Sequence, residues 1–352
     1  MIELNDLLVL SAKKGASDIH LIAGLPPVFR IHKRLVHVGE EELTPENITE
    51  MAFSIMRDRQ KKLFQENREY DFSYGVKGVA RFRINVFYQR GSIAAAFRRI
   101  PFEIPPLDSL GVPEIAHTIA NLERGFVLVT GPTGHGKSTT LASIIEEINK
   151  GKSKHIVTIE DPIEYLFQHK SSVVVQRELG TDTLSFPGAL RAVLREDPDV
   201  ILVGEMRDLD TIATALTAAE TGHLVLATLH TNSAAQSIDR IVDVFPPHQQ
   251  EQVKTQLAGV LVAILSQQLI TRTDNSGLIL ATEVLVATPA IRNLIREGKT
   301  HMILSAIQTG SNIGMQTMEQ SLEKLVRDGS ISYEDGLRYA FNPESFRRLM
   351  GR

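Results

Sequence analysis

The segment at residues 131–138 constrains this chain more than any other feature, because it fits the pattern G-x-x-x-x-G-K-[ST]. An apolar run at residues 126–129 comes directly before it. The stretch after it carries apolar residues at helical spacing, namely Leu141, Ile144, Ile145 and Ile148. Glycines let backbone N–H groups turn towards a phosphate, and the N-terminus of a helix adds a favourable dipole. The sequence therefore predicts a strand, a phosphate-binding loop and a helix within an α/β fold.

We expect this loop to bind ATP together with Mg²⁺. Lys137 is expected to neutralise the β and γ phosphates, and the hydroxyl of Ser138 is expected to bind the metal. The residues that we assign to nucleotide binding are Gly131, Pro132, Thr133, Gly134, His135, Gly136, Lys137, Ser138 and Thr139. A glycine-rich turn that matches the pattern by chance is the alternative. The strand before the loop and the helix after it argue against that alternative.

Further apolar runs alternate with helical stretches along the second half of the chain. The predicted strands lie at residues 126–129, 156–159, 173–175, 200–203, 224–228 and 278–286. Continuous apolar strands separated by helices are typical of a parallel sheet that is buried on both faces. After residue 288 the pattern becomes helical, with segments at 291–297 and 315–327.

Glu205 is a candidate metal ligand and catalytic residue, because it follows the apolar residues 200–203. P-loop enzymes place a carboxylate at the end of a neighbouring strand to hold the metal ion and its water shell. Gly204 stands where many of these enzymes have an aspartate. A solvated glutamate at a strand end is the alternative interpretation.

An acidic segment follows the predicted strand at 156–159. It contains Glu160, Asp161 and Glu164. Pro162 ends the strand, so Glu164 lies where the chain has turned away and where a side chain can polarise the attacking water. We therefore assign the catalytic base to Glu164, and we expect Glu160 to be a structural or magnesium-shell acceptor.

His230 follows the predicted strand at 224–228. A lone histidine is more often structural. However, ligands of open α/β sheets bind beyond the carboxyl ends of the strands, where His230 is expected to lie beside the other polar groups. We therefore assign it a catalytic role.

The first part of the chain is predicted to be a separate α+β domain. Strand-like runs occur at residues 79–87 and 93–97, and Thr44 followed by Pro45 marks the start of a helix. Four prolines within residues 101–113 are expected to forbid regular structure there. The predicted domains are therefore an N-terminal domain at 1–100, a linker at 101–113, an ATPase core at 114–288 and a helical region at 289–352.

Composition excludes several classes of protein. Lys and Arg number 38 against 42 Asp and Glu, and the formal net charge of −4 is not that of a nucleic-acid-binding protein. The chain has no cysteine, which excludes disulfides and thiolate metal sites. The apolar run at residues 257–265 is shorter than the roughly 20 residues that span a bilayer. The N-terminus does not resemble a signal peptide, so we expect a cytoplasmic protein.

Four motifs in this order resemble those of the secretion ATPase superfamily. They are the loop at 131–138, the acidic segment at 160–164, the segment at 204–208 and a histidine box at 221–223 and 229–232. Within the superfamily the chain is most similar to the type IV pilus retraction ATPases, over essentially its whole length and including residues 17–21. Residues 290–294 resemble their AIRAS-type motif, although Asn293 and Leu294 replace Ala and Ser, and residues 299–318 resemble their C-terminal region. His135 replaces a serine that is common in the loop.

The resemblance implies a PAS-like N-terminal domain and a RecA-like ATPase domain, assembled as a homohexamer. It implies that Arg83 and Arg98 reach the nucleotide phosphates, with a solvated basic strand face as the alternative. It also implies a motor for pilus retraction, peripheral to the inner membrane, that acts on a platform protein there. A paralogous retraction ATPase is a further expected partner. Other functions left open are a pilus extension or type II secretion ATPase, a RecA-like nucleic-acid translocase and a small-molecule kinase.

Overall fold

The computed structural model describes residues 3–31, 34–100, 103–274 and 276–351. The chain divides into two compact units. The first is Met1–Glu103 together with Glu164–Leu166, and the second is Ile104–Ile163 together with Phe167–Arg352. Residues 101 and 102 of the predicted linker, and the terminal residues 1, 2 and 352, lie outside the described residues. The boundaries of the four predicted segments stay predictions.

The first unit is built on a six-stranded antiparallel sheet with the strand order β3-β2-β1-β6-β5-β4. Its elements are α1 (Leu4–Lys13), β1 (Asp18–Leu21), β2 (Val28–Ile31), β3 (Arg34–His37), α2 (Pro45–Ser54), α3 (Asp58–Asn67), β4 (Glu69–Val76), β5 (Ala80–Gln89) and β6 (Ser92–Ile100). This is the predicted α+β organisation. The strands predicted at 79–87 and 93–97 are confirmed as β5 and β6.

Local sequence signals explain two features of this unit. The hydroxyl of Thr44 accepts a hydrogen bond from Asn47 N, and the Asn47 side chain accepts one from Thr44 N, so the predicted start of α2 is confirmed. Along β5 the buried residues Phe82, Ile84 and Val86 alternate with more exposed ones. One face of the sheet therefore packs on the hydrophobic core, and the other carries polar side chains.

The second unit is built on a seven-stranded sheet with the order β13-β12-β7-β11-β10-β8-β9. Its strands are β7 (Gly125–Thr130), β8 (His155–Glu160), β9 (Val173–Glu178), β10 (Val200–Val203), β11 (Leu224–Leu229), β12 (Leu261–Thr271) and β13 (Leu278–Val286). All pairings are parallel except that of β12 with β13. The six predicted strands are confirmed, and the chain forms a mixed α/β fold.

Helices cover both faces of this sheet. They are α4 (Ile115–Ala120), α5 (Lys137–Gly151), α6 (Phe186–Val193), α7 (Leu209–Glu220), α8 (Ala234–Asp243), α9 (Pro247–Val260), α10 (Pro289–Arg296), α11 (Ile303–Thr309), α12 (Met318–Arg327), α13 (Tyr333–Tyr339) and α14 (Pro343–Leu349). Along β7, Phe126 and Leu128 join one hydrophobic cluster, whereas Val127 and Val129 join the other. The continuous apolar runs of the sequence therefore reflect burial on both faces.

The sequence interpretation failed in two places within this sheet. It missed β12, because the run at 257–265 begins inside α9 and the following Ser266, Gln267 and Gln268 look polar although all three are buried. It also placed residues 278–286 in a parallel sheet, whereas β13 is antiparallel to β12. The short connection between the two strands explains this, since a parallel pair needs a crossover of a dozen or more residues.

The predicted irregularity of residues 101–113 is wrong at Leu107–Leu110, which form a short 3-10 helix. Pro106 directly precedes this turn, where a missing N–H does not interrupt the hydrogen bonding, and Gly111 ends it at a φ of 67°. Leu107 is buried in the core of the second unit. Two more 3-10 turns occur at Thr300–Met302 and Ser311–Ile313. In the part of the chain that the structure describes, no helix combines the length and apolarity needed to cross a membrane.

Candidate functional site

The strand order brings four loops side by side. The central strands β7, β11, β10 and β8 are adjacent and parallel, so their carboxyl ends lie at one edge of the sheet. The segments that follow them are, in this spatial order, the loop at 131–136, the segment starting at His230, the segment starting at Gly204 and the segment starting at Asp161. The edge predicted to bind nucleotide is therefore built from all four motifs.

The loop after β7 depends on glycine backbone conformations. Gly131 has a φ of 139°, and a Cβ at this position would lie 2.4 Å from the carbonyl oxygen of Gln267. Gly134 and Gly136 have φ values of 81° and 82°, in the left-handed region that other residues avoid. Helix α5 starts directly afterwards, so its first N–H groups are directed towards the loop. This arrangement suits a phosphate group.

Lys137 is buried and closes the loop. Its Nζ donates hydrogen bonds to the carbonyl oxygens of Gly131 at 2.8 Å and Pro132 at 2.9 Å. The ammonium group is therefore held within the loop rather than extended into solvent. Ser138 and Thr139 follow in the first turn of α5 and are half-buried.

A chain of polar contacts links the P-loop to the end of β10. Thr133 Oγ1 lies 3.4 Å from His230 Nδ1, and His230 Nε2 lies 3.1 Å from Glu205 Oε1. His230 occupies this middle position because β11 lies between β7 and β10. The structure therefore brings together Thr133, His230 and Glu205, which the sequence assigned to the site separately.

The surroundings of Glu205 favour the ionised form of its carboxyl group. Burial acts to raise its pKa, but a hydrogen bond from Arg207 and the neighbouring His230 outweigh burial, so the pKa lies below its usual value. The Arg207 Nε lies 2.6 Å from Glu205 Oε1. The sequence interpretation included Arg207 in the motif at 204–208 but assigned it no role, although its position two residues after a candidate metal ligand was the available signal.

The packing of β8 against β10 explains why the carboxylate is at position 205. A Cβ at Gly204 would lie 3.0 Å from the carbonyl oxygen of Ile159 and 3.1 Å from the Cα of Glu160. An aspartate at position 204 would therefore displace the end of β8. The Glu205 carboxylate and the Ser138 hydroxyl are hard oxygen donors, which Mg²⁺ prefers, so both residues fit the expected metal.

The acidic segment separates its carboxylates. Glu160 is buried, and its Oε1 accepts hydrogen bonds from Thr158 Oγ1 at 2.6 Å and Gln176 Nε2 at 3.1 Å. Asp161 and Glu164 are exposed. The peptide bond between Asp161 and Pro162 is cis, and Glu164 follows two residues after Pro162. Glu164 belongs to the first compact unit together with Tyr165 and Leu166. Thr133, His230 and Glu205 belong to the second unit.

The two candidate arginines also belong to the first unit, where they are neighbours. Arg83 on β5 is the register partner of Arg98 on β6, so both lie on the same face of the sheet. Arg98 Nε lies 3.0 Å from Asp18 Oδ1, and Arg83 Nε lies 3.8 Å from Asp71 Oδ1. Their side chains are 72% and 46% exposed. Both arginines are therefore exposed, and each lies beside an aspartate.

Comparison with known proteins identifies relatives along nearly the whole chain. Residues 3–338 match the family model described as Type II/IV secretion system protein. The chain is 50% identical over 344 residues to the type IV pilus retraction ATPase PilT of Pseudomonas aeruginosa, which covers 98% of this chain and 100% of that protein. It is 52% identical over 339 residues to a twitching motility protein of Neisseria gonorrhoeae, covering 96% of this chain and 91% of the relative. A crystal structure of the pilus retraction motor PilT with bound ADP is 51% identical, with a TM-score of 0.92, and covers 99% of this chain and 100% of that chain.

Proposed function

Because the chain belongs to the type II/IV secretion system protein family, we propose that it is the motor that powers retraction of type IV pili. The chain is an ATPase. The observation that carries the proposal is the row of adjacent strand ends that joins the P-loop, His230 and Glu205. The similarity to a retraction ATPase and to a twitching motility protein supports retraction as the work that this ATPase performs.

The P-loop is proposed to hold the phosphates of ATP. Its glycines have the backbone conformations that expose N–H groups, and α5 adds the positive end of its dipole. Lys137 Nζ donates hydrogen bonds to two loop carbonyls, and we propose that it donates to phosphate oxygens instead when ATP binds. The nine residues from Gly131 to Thr139 therefore form the proposed nucleotide-binding segment.

Ser138 and Glu205 are proposed to hold Mg²⁺. When bound, Mg²⁺ neutralises charge that develops on the β and γ phosphates. Glu205 contributes a carboxylate whose low pKa keeps it ionised at neutral pH. His230 donates from Nε2 to that carboxylate and lies beside Thr133, so it is proposed to keep Glu205 oriented towards the P-loop.

Glu164 is proposed to activate the attacking water. The water oxygen bonds to the γ-phosphorus while its proton passes to a carboxylate oxygen of Glu164. The bond between the γ-phosphorus and the bridging oxygen breaks, and ADP and phosphate are released. Glu160 is buried, whereas Glu164 is exposed to solvent, which supports the choice of Glu164 for this role.

Arg83 and Arg98 are proposed to contact the phosphates during turnover, so that nucleotide state is coupled to movement of the first unit. Their planar guanidinium groups stay charged and bind phosphate oxygens bidentately, which lysine does not do. If they act as arginine fingers, Arg83→Ala and Arg98→Ala each lower ATP turnover by roughly 10³-fold or more. Mass measurement checks that the oligomer is intact, and unchanged turnover in both variants would contradict the role.

The assembly proposed for this function is a homohexamer at the cytoplasmic side of the inner membrane. It is proposed to act on the platform protein at the pilus base, alone or with a paralogous retraction ATPase. The near full-length similarity to PilT supports this arrangement.

Deletion of the gene tests the direction of the motor. Cells that keep surface pili but lose surface motility indicate retraction, whereas cells without pili indicate extension. Complementation with the wild-type gene should restore motility, and complementation with Lys137→Ala should not. ATP hydrolysis that requires added DNA would point instead to a nucleic-acid translocase.

A further inference from the structure

Strand β12 lies directly beside the P-loop. Its pairing partner β7 ends at Thr130, which lies opposite Ser266, whereas β12 continues to Thr271. Beyond Ser266 the P-loop replaces β7 as the neighbour of β12. The two backbones approach closely at Gly131, where a Cβ would lie 2.4 Å from the carbonyl oxygen of Gln267.

The His135 side chain makes a second contact with β12. Its Nδ1 accepts a hydrogen bond from the backbone N–H of Leu269 at 2.9 Å. The same leucine packs near the helix start, since a Cβ at Gly136 would lie 3.4 Å from Leu269 Cδ1. A backbone N–H beyond the end of a partner strand needs another acceptor when it is shielded from water, and the imidazole provides it.

The surroundings of His135 favour the neutral ring that this contact requires. An imidazole accepts a hydrogen bond at Nδ1 only when that nitrogen carries no proton. Burial lowers the pKa of His135, and the charge of Lys137 lowers it further. The neutral ring is therefore the form present at neutral pH.

Two other contacts attach the ends of the loop to the same strand. Before the loop, Thr130 Oγ1 donates to Ser266 Oγ at 2.9 Å. After it, Gln267 Nε2 donates to Thr140 Oγ1 in the first turn of α5 at 2.8 Å. His135 lies between these two attachments, and it fixes the middle of a loop whose ends are already held.

We infer that His135 is a positioning residue that holds the P-loop against β12 and thereby sets the affinity for nucleotide. The inference rests on the proposed nucleotide site, in which His135 is already included, and it assigns the His135 side chain a role that acts through the loop rather than on the phosphates. A loop held in its binding conformation loses less freedom when a ligand binds, so the contact strengthens ground-state binding of both ATP and ADP. The bond-making step does not involve His135, so turnover at saturation depends on it much less.

Side-chain length offers a matched set of variants. In asparagine, Oδ1 is the same number of bonds from the backbone as Nδ1 of histidine. In glutamine, the amide atoms are as far from the backbone as Nε2. The serine that is common at this position in the resembling family has its hydroxyl one bond closer than Nδ1. His135→Asn therefore keeps an acceptor at the right reach, whereas His135→Gln and His135→Ser do not.

The test measures hydrogen exchange at the Leu269 amide, the Kd for ADP, and KM and kcat for ATP in the intact protein. His135→Gln and His135→Ser should speed Leu269 exchange and raise the Kd for ADP and the KM for ATP by roughly 3- to 10-fold, the value of one hydrogen bond. The change in kcat should be smaller than the change in KM. His135→Asn should move both exchange and affinity back towards wild type.

Two results would overturn the inference. One is equal behaviour of the three variants, because a contact through Nδ1 must distinguish asparagine from glutamine. The other is a fall in kcat without a change in affinity. The Lys137→Ala variant distinguishes an error in the role of His135 from an error in the proposed nucleotide site. If that variant still binds ADP normally, the proposed nucleotide site is wrong. If it loses ADP while His135→Ser binds as wild type does, only the role of His135 is wrong.

Discussion

The P-loop and the acidic segment both follow parallel strands of one sheet, but they are built on different principles. The P-loop at 131–136 owes its form to backbone conformation and to contacts with β12, and its lysine folds back onto its own carbonyls. In the acidic segment, the role of each carboxylate depends on whether its side chain is buried or exposed. Glu160 is buried with two side-chain donors, whereas Glu164 is exposed a few residues later.

This difference determines what each region can do. A backbone cradle binds any phosphate of the right shape, because its backbone N–H groups provide the contacts. A set of carboxylates distinguishes between roles, because burial and donors make one residue structural and leave another available to solvent. Ground-state binding is therefore expected to depend mainly on the P-loop, and the reaction on the acidic side chains.

Lys137→Ala should give the largest effect. It removes the ammonium group and leaves the phosphate charge facing backbone dipoles alone, so tight binding of ATP should be lost. Titration with a fluorescent ATP analogue measures this. Near-normal affinity would remove Lys137 from the site and would break the assignment of binding to the P-loop.

Glu205→Ala should separate binding from reaction. The carboxylate that helps to hold the metal acts mainly on the transition state, so ATP should still bind while kcat falls by roughly 100-fold or more. The measurement is steady-state hydrolysis together with nucleotide affinity. Unchanged hydrolysis would show that Glu205 is a solvated strand-end residue.

Glu164→Gln and Glu160→Gln test the two roles within the acidic segment. The first removes the proposed base and should lower kcat by roughly 100-fold or more, with ATP affinity kept. The second keeps an acceptor for Thr158 and Gln176, so hydrolysis should change by less than roughly 10-fold. Both variants have the same charge change, so each serves as the control for the other. A fully active Glu164→Gln enzyme would falsify the role of Glu164.

The sequence was sufficient for the features that backbone geometry imposes. The spacing of Gly131, Gly136 and Lys137 predicted a strand, a loop and a helix, and the apolar runs predicted six strands of the central sheet. The spatial order of those strands could not be predicted, because it depends on crossovers that leave no local pattern. The contact of His230 with both Thr133 and Glu205 follows from that order.

Other features escaped because they depend on tertiary packing. Strand β12 is buried but ends in polar residues, so its sequence alone does not identify it. The acceptor role of His135 requires that strand as a neighbour and could not be predicted without it. The burial of Glu160 depends on Gln176, which lies on the adjacent strand β9. The position of Pro162 distinguished Glu164 from Glu160 in the sequence, but the donors that hold Glu160 appear only in the fold.

A carboxylate outside both regions extends the comparison to stability. Glu283 on β13 is buried like Glu160, but the hydrogen bond that it accepts comes from a backbone group, Ala234 N, at 2.7 Å. Burial raises the pKa of Glu283 to about 7, and the nearby Glu319 acts in the same direction. The protonated acid is therefore the main form of Glu283 in the folded protein below about pH 7.

The sign of the pH dependence follows from this shift. The pKa of Glu283 is higher in the folded chain than in the unfolded one, so its contribution to stability is complete below pH 4.5 and is lost as the pH rises through about 7. Glu283→Gln imitates the protonated acid at every pH. The free energy of unfolding of the variant should therefore lie within about 1 kcal/mol of the wild-type value at pH 5 and exceed it at pH 8 by roughly 3 kcal/mol at most. Urea unfolding at both pH values measures the difference, with Glu160→Gln as the control for a buried glutamate that has side-chain donors. The contradicting result is a difference in the free energy of unfolding between Glu283→Gln and wild type that is the same at pH 5 and pH 8. It would show that ionisation of Glu283 does not lower stability. The backbone contact of Glu283 would then compensate for burial as fully as the two donors of Glu160 do.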